Sequence, residues 1–275
     1  MKTKHSALKY VGIAVILVIL LFPVYWMVNC SLQRTTVIMT VPPTFFPLRP
    51  TFENFAKIFS NASYLNYFKN SFIVAFGTIA VVLIVAIPAS FALSRYNFPG
   101  KHAIMSAISS VQMFPTVVIL ITLYGFYNKW GLLDTYRGLI LADTTFALPL
   151  AITLLKSFYD TVSKSIDEAA RIDGANRLQI VWYVNLPTIM PTVMTMLILS
   201  CGSVLSVGFE KVYLMQNSLN LSASEVISTY VYEVGVNGAQ FSYSSAIGLF
   251  NTVVNIVILM LVNALSRRLS SVSIW

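Results

Sequence analysis

Six long apolar segments constrain the fold of this chain more than any other feature of its sequence. A hydrocarbon layer about 30 Å thick needs about 20 apolar residues in a helix that rises about 1.5 Å per residue. Six segments meet that length: Tyr10–Cys30, Ser71–Leu93, Ala103–Tyr127, Gly138–Phe158, Thr188–Phe209 and Ser244–Leu265. Because a lipid-exposed backbone must satisfy its own hydrogen bonds, we predict an all-α integral membrane protein with six transmembrane helices.

The composition supports a location in the bilayer. Hydrophobic residues make up 57% of the 275 residues and charged residues only 10%, against about 25% charged residues in soluble domains. The net charge of +8 would suggest nucleic acid as the partner of a soluble protein. Here the basic residues flank apolar segments, so we assign them to membrane lipid headgroups and expect no nucleic acid partner.

The flanking charges also predict which side of the membrane each loop occupies. An even number of spans places both termini on one side, where the short loops carry eleven of the eighteen basic residues. These are Lys2, Lys4, Lys9, Arg95, Lys101, Lys156, Lys164, Arg171, Arg177, Arg267 and Arg268. The positive-inside rule makes that side cytoplasmic. We therefore predict one transmembrane domain over residues 1–275, with a first span at 10–30, core spans within 71–265 and outer loops at 31–70 and 210–243.

The last outer loop contains signals for a short helix. Ser222-Ala223-Ser224-Glu225 is a capping box, which satisfies free N–H groups at the start of a helix. Apolar residues behind it, from Val226 to Val234, share one helical face. Gly235 and the Asn237-Gly238 pair predict the end of this helix.

The longest predicted cytoplasmic loop, at 159–187, should form two short helices joined by a sharp turn. Ser165-Ile166-Asp167-Glu168 is a second capping box, and Gly174 stands where a helix C-terminus needs a left-handed residue. A second helix should begin at Asn176 and stop near Pro187. Small side chains and an acid on such a hairpin favour a docking surface over a catalytic site.

This loop resembles the coupling loop of binding-protein-dependent ABC importer permeases. The resemblance rests on Glu168-Ala169-Ala170, Asp173-Gly174-Ala175 and Leu186-Pro187. In that family the loop sits in a cleft of a cytoplasmic ATPase subunit, where the Glu meets basic residues. The resemblance implies the type I (MetI-like) permease fold. It also assigns ATPase coupling to Glu168, Ala169, Ala170, Asp173, Gly174, Leu186 and Pro187.

Other parts of the chain resemble the carbohydrate importers of the maltose type. The pattern includes Pro50–Phe55, Ala92–Lys101 and Gly131–Tyr136, and it runs from about Phe22 to Pro191. It is most similar to the smaller, six-helix permease subunit. The segment at 208–212 departs from that subunit and leaves open which permease half this is.

The resemblance implies a set of partners in a bacterial plasma membrane. They are a second homologous permease that forms a heterodimer with this chain, two copies of an ATPase, and an extracellular sugar-binding protein that delivers an oligosaccharide. The sequence has no Gly-x-x-x-x-Gly-Lys-Ser/Thr motif. ATP and Mg would therefore be bound by the ATPase, and we expect no catalytic residue, metal site or cofactor on this chain.

Polar residues inside the predicted spans are candidates for a translocation pathway, because such residues are costly in a membrane and usually functional. They are Gln112, Asp143, Ser200, Ser203, Asn251 and Asn255. Their hydrogen bonds could serve sugar hydroxyls or could join helices, and the sequence leaves both interpretations open. In the outer segment 235–241, Gly235, Asn237, Gly238 and Gln240 are candidates for contact with the binding protein.

Three other functions remain as alternatives. An ion-coupled secondary transporter should show inverted repeats and several membrane carboxylates, whereas Asp143 is the only acid within a predicted span. An integral membrane enzyme should cluster its acids and histidines at span ends, whereas Asp143, Glu210 and Glu233 are scattered. An ABC importer permease for a solute other than sugar also stays open.

Overall fold

The computed structural model describes residues 2–133, 135–201, 205, 209–216 and 225–270. Every regular element named within these ranges is helical, as the sequence predicts. The elements are α1 (Lys2–Ser31), α2 (Thr35–Ile38), α3 (Glu53–Ser60), α4 (Ala62–Arg95), α5 (Lys101–Val111), α6 (Thr116–Trp130), α7 (Tyr136–Thr161), α8 (Lys164–Ile172), α9 (Arg177–Gln179), the π-helix π1 (Ile180–Asn185), α10 (Leu186–Cys201), α11 (Phe209–Met215), α12 (Ile227–Tyr232), the π-helix π2 (Glu233–Asn237) and α13 (Phe241–Ser270).

Among the described residues, four helices are long and apolar enough to cross a membrane. They are Lys9–Ser31 within α1, all of α4, all of α7, and Phe241–Arg268 within α13. They correspond to the first, second, fourth and sixth predicted spans. With 34 residues, α4 is about 51 Å long, well beyond the roughly 30 Å of a hydrocarbon layer.

The third predicted span is broken. Helices α5 and α6 are long and apolar enough to cross a membrane only when they are taken together, and they are bent by 101° at the break between them. Pro115 lies at that break with an extended backbone (φ −57°, ψ 128°), since proline has no N–H to donate and disfavours a helical residue before it. Pro149, by contrast, lies inside the continuous helix α7.

Only part of the fifth predicted span, 188–209, lies within the described residues. Its described part is α10, which has 16 residues and includes Pro191. Most of the remainder lies outside the described ranges. The count of six transmembrane helices therefore stays a prediction.

Two compact units divide the chain, and the first comprises residues 1–66 and 229–254. In it, a polar network holds the loop after α1 against the end of that helix. The Asn54 amide donates to the carbonyls of Ser31 and Gln33, each at 2.9 Å. Gln33 donates to Asn29 at 2.8 Å, and Asn29 donates to the Thr44 carbonyl at 2.9 Å. The bond to Ser31 satisfies a carbonyl that the end of α1 leaves without a partner, and the other bonds tie down the loop.

The predicted outer helix is present as α12 and π2, and it ends at Asn237, as the Asn237-Gly238 pair predicts. Ser222–Ser224 of the proposed capping box lie outside the described residues. Gly235 does not end the helix but lies inside π2, where an added Cβ would come 2.4 Å from the Ser244 hydroxyl. The left-handed residue that turns the chain is Ala239, at φ +50°. The Gln240 N–H there bonds the Val234 carbonyl at 3.0 Å.

The second unit comprises residues 67–228 and 255–275. Its main apolar core joins α4, α7, π1 and α10, and Ala86 and Tyr159 are fully buried within it. The Tyr159 ring packs edge-on against Phe91 at 5.7 Å between centroids. Because Ile180 and Val181 of π1 belong to this core, the core fixes the end of the 159–187 loop.

Candidate functional site

The loop begins at a serine cap that differs from the predicted one. α8 starts at Lys164, and the Ser163 side chain accepts a hydrogen bond from the Ser165 N–H at 3.3 Å. The prediction of a capping box at Ser165 was therefore wrong. The physical reason lies in Asp167, which turns inward to a buried partner while Glu168 points into solvent.

The turn after α8 confirms the predicted left-handed conformation of Gly174 at the end of the helix. Gly174 adopts φ +88°, which side chains with a Cβ rarely adopt. The Gly174 N–H bonds the Arg171 carbonyl at 3.1 Å, and the Ala175 N–H bonds the Ala170 carbonyl at 2.9 Å. This pair of bonds is a Schellman motif, which satisfies the last carbonyls of the helix.

The second helix begins as predicted but does not stop at Pro187. Asn176 and Gln179 form a capping box, with bonds of 2.8 and 2.9 Å between each side chain and the other residue's N–H. The chain then continues through π1 into α10. A proline ring clashes with the carbonyl four residues earlier in an α-helix, and the wider π-helix directly before Leu186 relieves that clash at Pro187.

The predicted coupling residues divide into an exposed group and a packed group. Glu168, Ala169, Asp173, Gly174 and Pro187 are exposed. Ala170 is half-buried against the main core, and Leu186 belongs to that core. Apolar side chains of this loop are also exposed, among them Ile172 at 87% and Leu178 at 69% of their full accessibility. The loop thus presents an acid and isolated apolar side chains on a turn of defined geometry.

Beneath this exposed surface lies a buried polar cluster, the Arg95 junction, formed by Arg95, Asp167 and Asn185. Arg95 Nε pairs with Asp167 Oδ2 at 2.7 Å, with side chains only 3% and 6% exposed. Arg95 also donates to Asn185 Oδ1 at 2.9 Å, and Asn185 donates to Asp167 Oδ1 at 2.6 Å. No local pattern marks this cluster, because Arg95 and Asn185 are 90 residues apart in sequence.

The neighbours of Arg95 at the end of α4 contact the same region. The Ser94 hydroxyl donates to Asp160 of α7 at 2.6 Å. The Arg177 guanidinium, at the start of α9, lies 5.5 Å from the centre of the Tyr96 ring. The end of α4 is therefore held by side chains from α7, α8, α9 and π1.

Asp143, the acid in the fourth predicted span, forms a bond between helices. It is 4% exposed, and its Oδ1 pairs with Lys211 of α11 at 2.8 Å. The Lys211 ammonium also lies 5.0 Å from the centre of the Phe146 ring. This geometry favours a role of Asp143 in joining α7 to α11, and a role in a pathway stays a prediction.

The other candidate pathway residues occupy varied settings. Gln112 is exposed at the break after α5. Asn251 accepts a bond from the Tyr64 hydroxyl at 3.1 Å. Asn255 is half-buried, and its side-chain oxygen has no hydrogen-bond partner within the described part of the chain. The Ser200 side chain and Ser203 lie outside the described residues.

The outer segment 235–241 exposes most of its candidate contact residues. Asn237, Gly238 and Gln240 are exposed, whereas Gly235 is buried against Ser244. The Asn237 amide donates to Glu233 at 2.6 Å. Across the described ranges, no group of three or more His, Cys, Asp or Glu side chains could hold a metal ion.

Comparison with known proteins adds a family likeness to this geometry. The family model described as binding-protein-dependent transport system inner membrane component matches residues 83–271. The inner membrane ABC transporter permease protein YcjP of Escherichia coli K12 is 34% identical over 66% of this chain and 65% of its own. The sulfoquinovosyl glycerol transport system permease protein SmoH of Agrobacterium fabrum is 32% identical over 68% and 66%. The chain thus spans just under two thirds of the length of these two curated relatives.

Protein LplB of Bacillus subtilis gives a longer match, 30% identical over 79% of this chain and 75% of its own. Among solved structures, a chain of a bacterial ABC transporter for import of the acidic polysaccharide alginate superimposes with a TM-score of 0.78. That chain is 21% identical, and 98% of each chain is covered. A chain of the MetNI methionine ABC transporter superimposes with a TM-score of 0.55 at 15% identity, over 74% of this chain and 93% of its own. At these identities the structures show a shared fold and nothing more.

Proposed function

This chain belongs to the family of binding-protein-dependent transport system inner membrane components, and on that premise we propose that it is a permease subunit of an ATP-driven sugar importer. As a member of that family it is a multi-pass membrane transport subunit and not an enzyme. The proposal places six spans in one domain, with both termini and the 159–187 loop in the cytoplasm. It makes that loop the contact with a separate ATPase, which binds ATP and Mg.

The surface of α8 and its turn is the observation that carries the proposal. A helix of nine residues exposes Glu168, Ala169 and Ile172, while the Schellman motif at Gly174 fixes its end. Ile172 is 87% exposed. A side chain of that kind in a membrane subunit favours a protein partner that covers it, with Glu168 as the charge that the partner must match.

Sugar is the cargo class that the relatives' names support. They include a trehalose permease of Mycobacterium tuberculosis and a diacetylchitobiose uptake permease of Streptomyces coelicolor. A related solved structure contains an alginate pentasaccharide-bound periplasmic protein. We extend this to an oligosaccharide that an extracellular binding protein delivers to a heterodimer of this chain and a second permease, above two ATPase subunits.

Transport would then follow from a movement of the 159–187 loop between two positions, driven by the ATPase. Closure of the ATPase subunits on ATP would displace α8, and packed helices would carry the displacement toward the outer side. Such a shift needs a different contact free energy between the loop and the ATPase in each state. Glu168 and the residues from Asp173 to Gly174 would supply that difference.

Reversal of one surface charge tests the docking assignment. We expect Glu168→Lys to weaken the association between the membrane subunits and the ATPase, since the substitution places like charges in contact. Co-purification of the ATPase with the tagged chain measures this. Glu210→Lys, a charge reversal at an exposed acid of α11, is the matched control and should leave co-purification unchanged. Equal recovery of the ATPase with both variants contradicts the assignment.

The outer segment is the second part of the proposal. Residues 235–241 would touch the binding protein, because Asn237, Gly238 and Gln240 are exposed on a turn just before α13. Replacement of Asn237 and Gln240 by Ala should lower binding-protein-dependent uptake without loss of the ATPase from the complex. Normal uptake by that double variant rejects this contact.

A further inference from the structure

Helix α8 is attached to the rest of the chain mainly through one side chain. Asp167 is the single buried residue of α8, and Ala170 adds only a small, half-buried contact with the core. Besides the backbone at its two ends, Asp167 is therefore the main contact through which a displacement of α8 can reach other helices. Its partner Arg95 is the last residue of α4.

The Arg95 junction is a closed set of contacts between three segments. Each of its three pairs is joined, at 2.7, 2.9 and 2.6 Å. Asn185 also donates to the Ile180 carbonyl within π1 at 3.3 Å, which fixes its amide relative to that π-helix. The guanidinium is a rigid planar fork, and in Arg95 Nε forms the ion pair with the acid while Nη2 donates to the amide.

Apolar packing would join these segments without the free-energy cost of desolvating charges. A buried ion pair is weak support for stability, because desolvation of the charges offsets their attraction, although loss of one partner is costly. The ion pair does, however, resist movement of α8 relative to α4, since α8 cannot shift against α4 without breaking it. Through Arg95, a displacement of α8 would reach a helix of 34 residues.

From this arrangement we infer that Asp167, Arg95 and Asn185 are positioning residues that transmit movement of α8 into α4. The inference rests on the proposed function, and it adds a second role to the loop. Glu168 and Gly174 contact the ATPase, whereas the Arg95 junction transmits the displacement of α8 to a membrane helix. Ser94 and Tyr96, which contact α7 and α9, keep the end of α4 aligned with the loop.

The test separates docking from transmission. The complete transporter carrying Asp167→Asn is reconstituted in vesicles, and sugar uptake, ATP hydrolysis and ATPase co-purification are measured together. Asn has nearly the shape of Asp but removes the charge. We expect normal co-purification and a fall of about tenfold in sugar moved per ATP hydrolysed, within the range for residues on coupling networks. Glu53→Gln, which removes an ion-paired acid on an exposed surface, should leave that ratio unchanged.

Two results overturn the inference. One is an unchanged ratio of sugar to ATP in Asp167→Asn. The other is loss of the ATPase from this variant, as expected for Glu168→Lys, because the junction would then only shape the docking surface. If Asp167→Asn does not accumulate in the membrane, Arg95→Lys decides by the same criteria, since lysine keeps the charge but loses the fork. Failure of the proposed function would appear separately, as an ATPase that does not bind the unmodified complex.

Discussion

Substitution of Gly174 gives the most direct quantitative test of the proposed contact between the 159–187 loop and the ATPase. At φ +88° an added Cβ would meet no atom within 4 Å, so the cost of a side chain comes from the backbone conformation alone. For an ordinary residue that cost is about 1–2 kcal/mol. Asn tolerates the left-handed region better than Ala, and β-branched Val tolerates it least. The expected order of damage is therefore Asn, then Ala, then Val.

The strain acts on docking because the undocked loop can relax. A variant loop would leave the left-handed conformation when free and would have to recover it in contact with the ATPase. A cost of about 1–2 kcal/mol then weakens docking about five- to thirtyfold, since about 1.4 kcal/mol corresponds to a factor of ten. We expect Gly174→Val to insert in the membrane and to lose most substrate-dependent ATP hydrolysis. Titration of reconstituted vesicles with purified ATPase measures the shift.

Gly131 supplies the matched control for this series. It adopts φ +64° after α6, and an added Cβ there also meets open space. Gly131→Val should therefore lower thermal stability by a similar amount and leave the ATPase titration unchanged. The reasoning is refuted if the three Gly174 variants titrate alike, or if Gly131→Val shifts the titration as far as Gly174→Val does.

Three further predictions concern other parts of the chain. Ala239→Gly should raise the free energy of unfolding by about 0.5–1 kcal/mol because it removes left-handed strain, and a lower melting temperature in detergent would contradict this. Asp143→Asn and Lys211→Met should each cost about 3–5 kcal/mol, and the double variant should recover most of the loss; a stable double variant without uptake would instead favour a pathway role. Gly235→Ala should destabilise the outer turn, because the new Cβ would lie 2.4 Å from the Ser244 hydroxyl. Ser244→Gly should restore the melting temperature of the Gly235→Ala variant.

The parts of the fold that could be predicted depend on short-range patterns. Apolar length predicted α1, α4, α7 and α13, because the lipid core sets one required length for every span. Gly174 was predictable for a similar reason, since a left-handed helix end is a local requirement. The two short helices α8 and α9 likewise followed from residues within one loop.

The errors arise where a contact outside the local pattern, or the backbone conformation of the preceding turn, decides the structure. Ser165 and Glu168 form a plausible capping box by spacing, but the helix begins earlier, at Lys164 after Ser163, with Asp167 turned inward to its buried ion pair with Arg95. Pro187 normally ends a helix, yet π1 removes the clash and the chain continues. At the outer turn, tight packing against Ser244 explains Gly235, and an alanine occupies the left-handed position where the pattern suggests glycine.

The closed geometry of the Arg95 junction also limits how this family can drift in evolution. A lineage that lost the acid at position 167 would retain a buried, unpaired guanidinium, so we expect positions 95, 167 and 185 to change together. Ile172 and Leu178 are exposed and should instead vary in step with the surface of the ATPase. Covariation of positions within this gene would thus identify the Arg95 junction, and covariation between this gene and the ATPase gene would identify the contact surface of the loop.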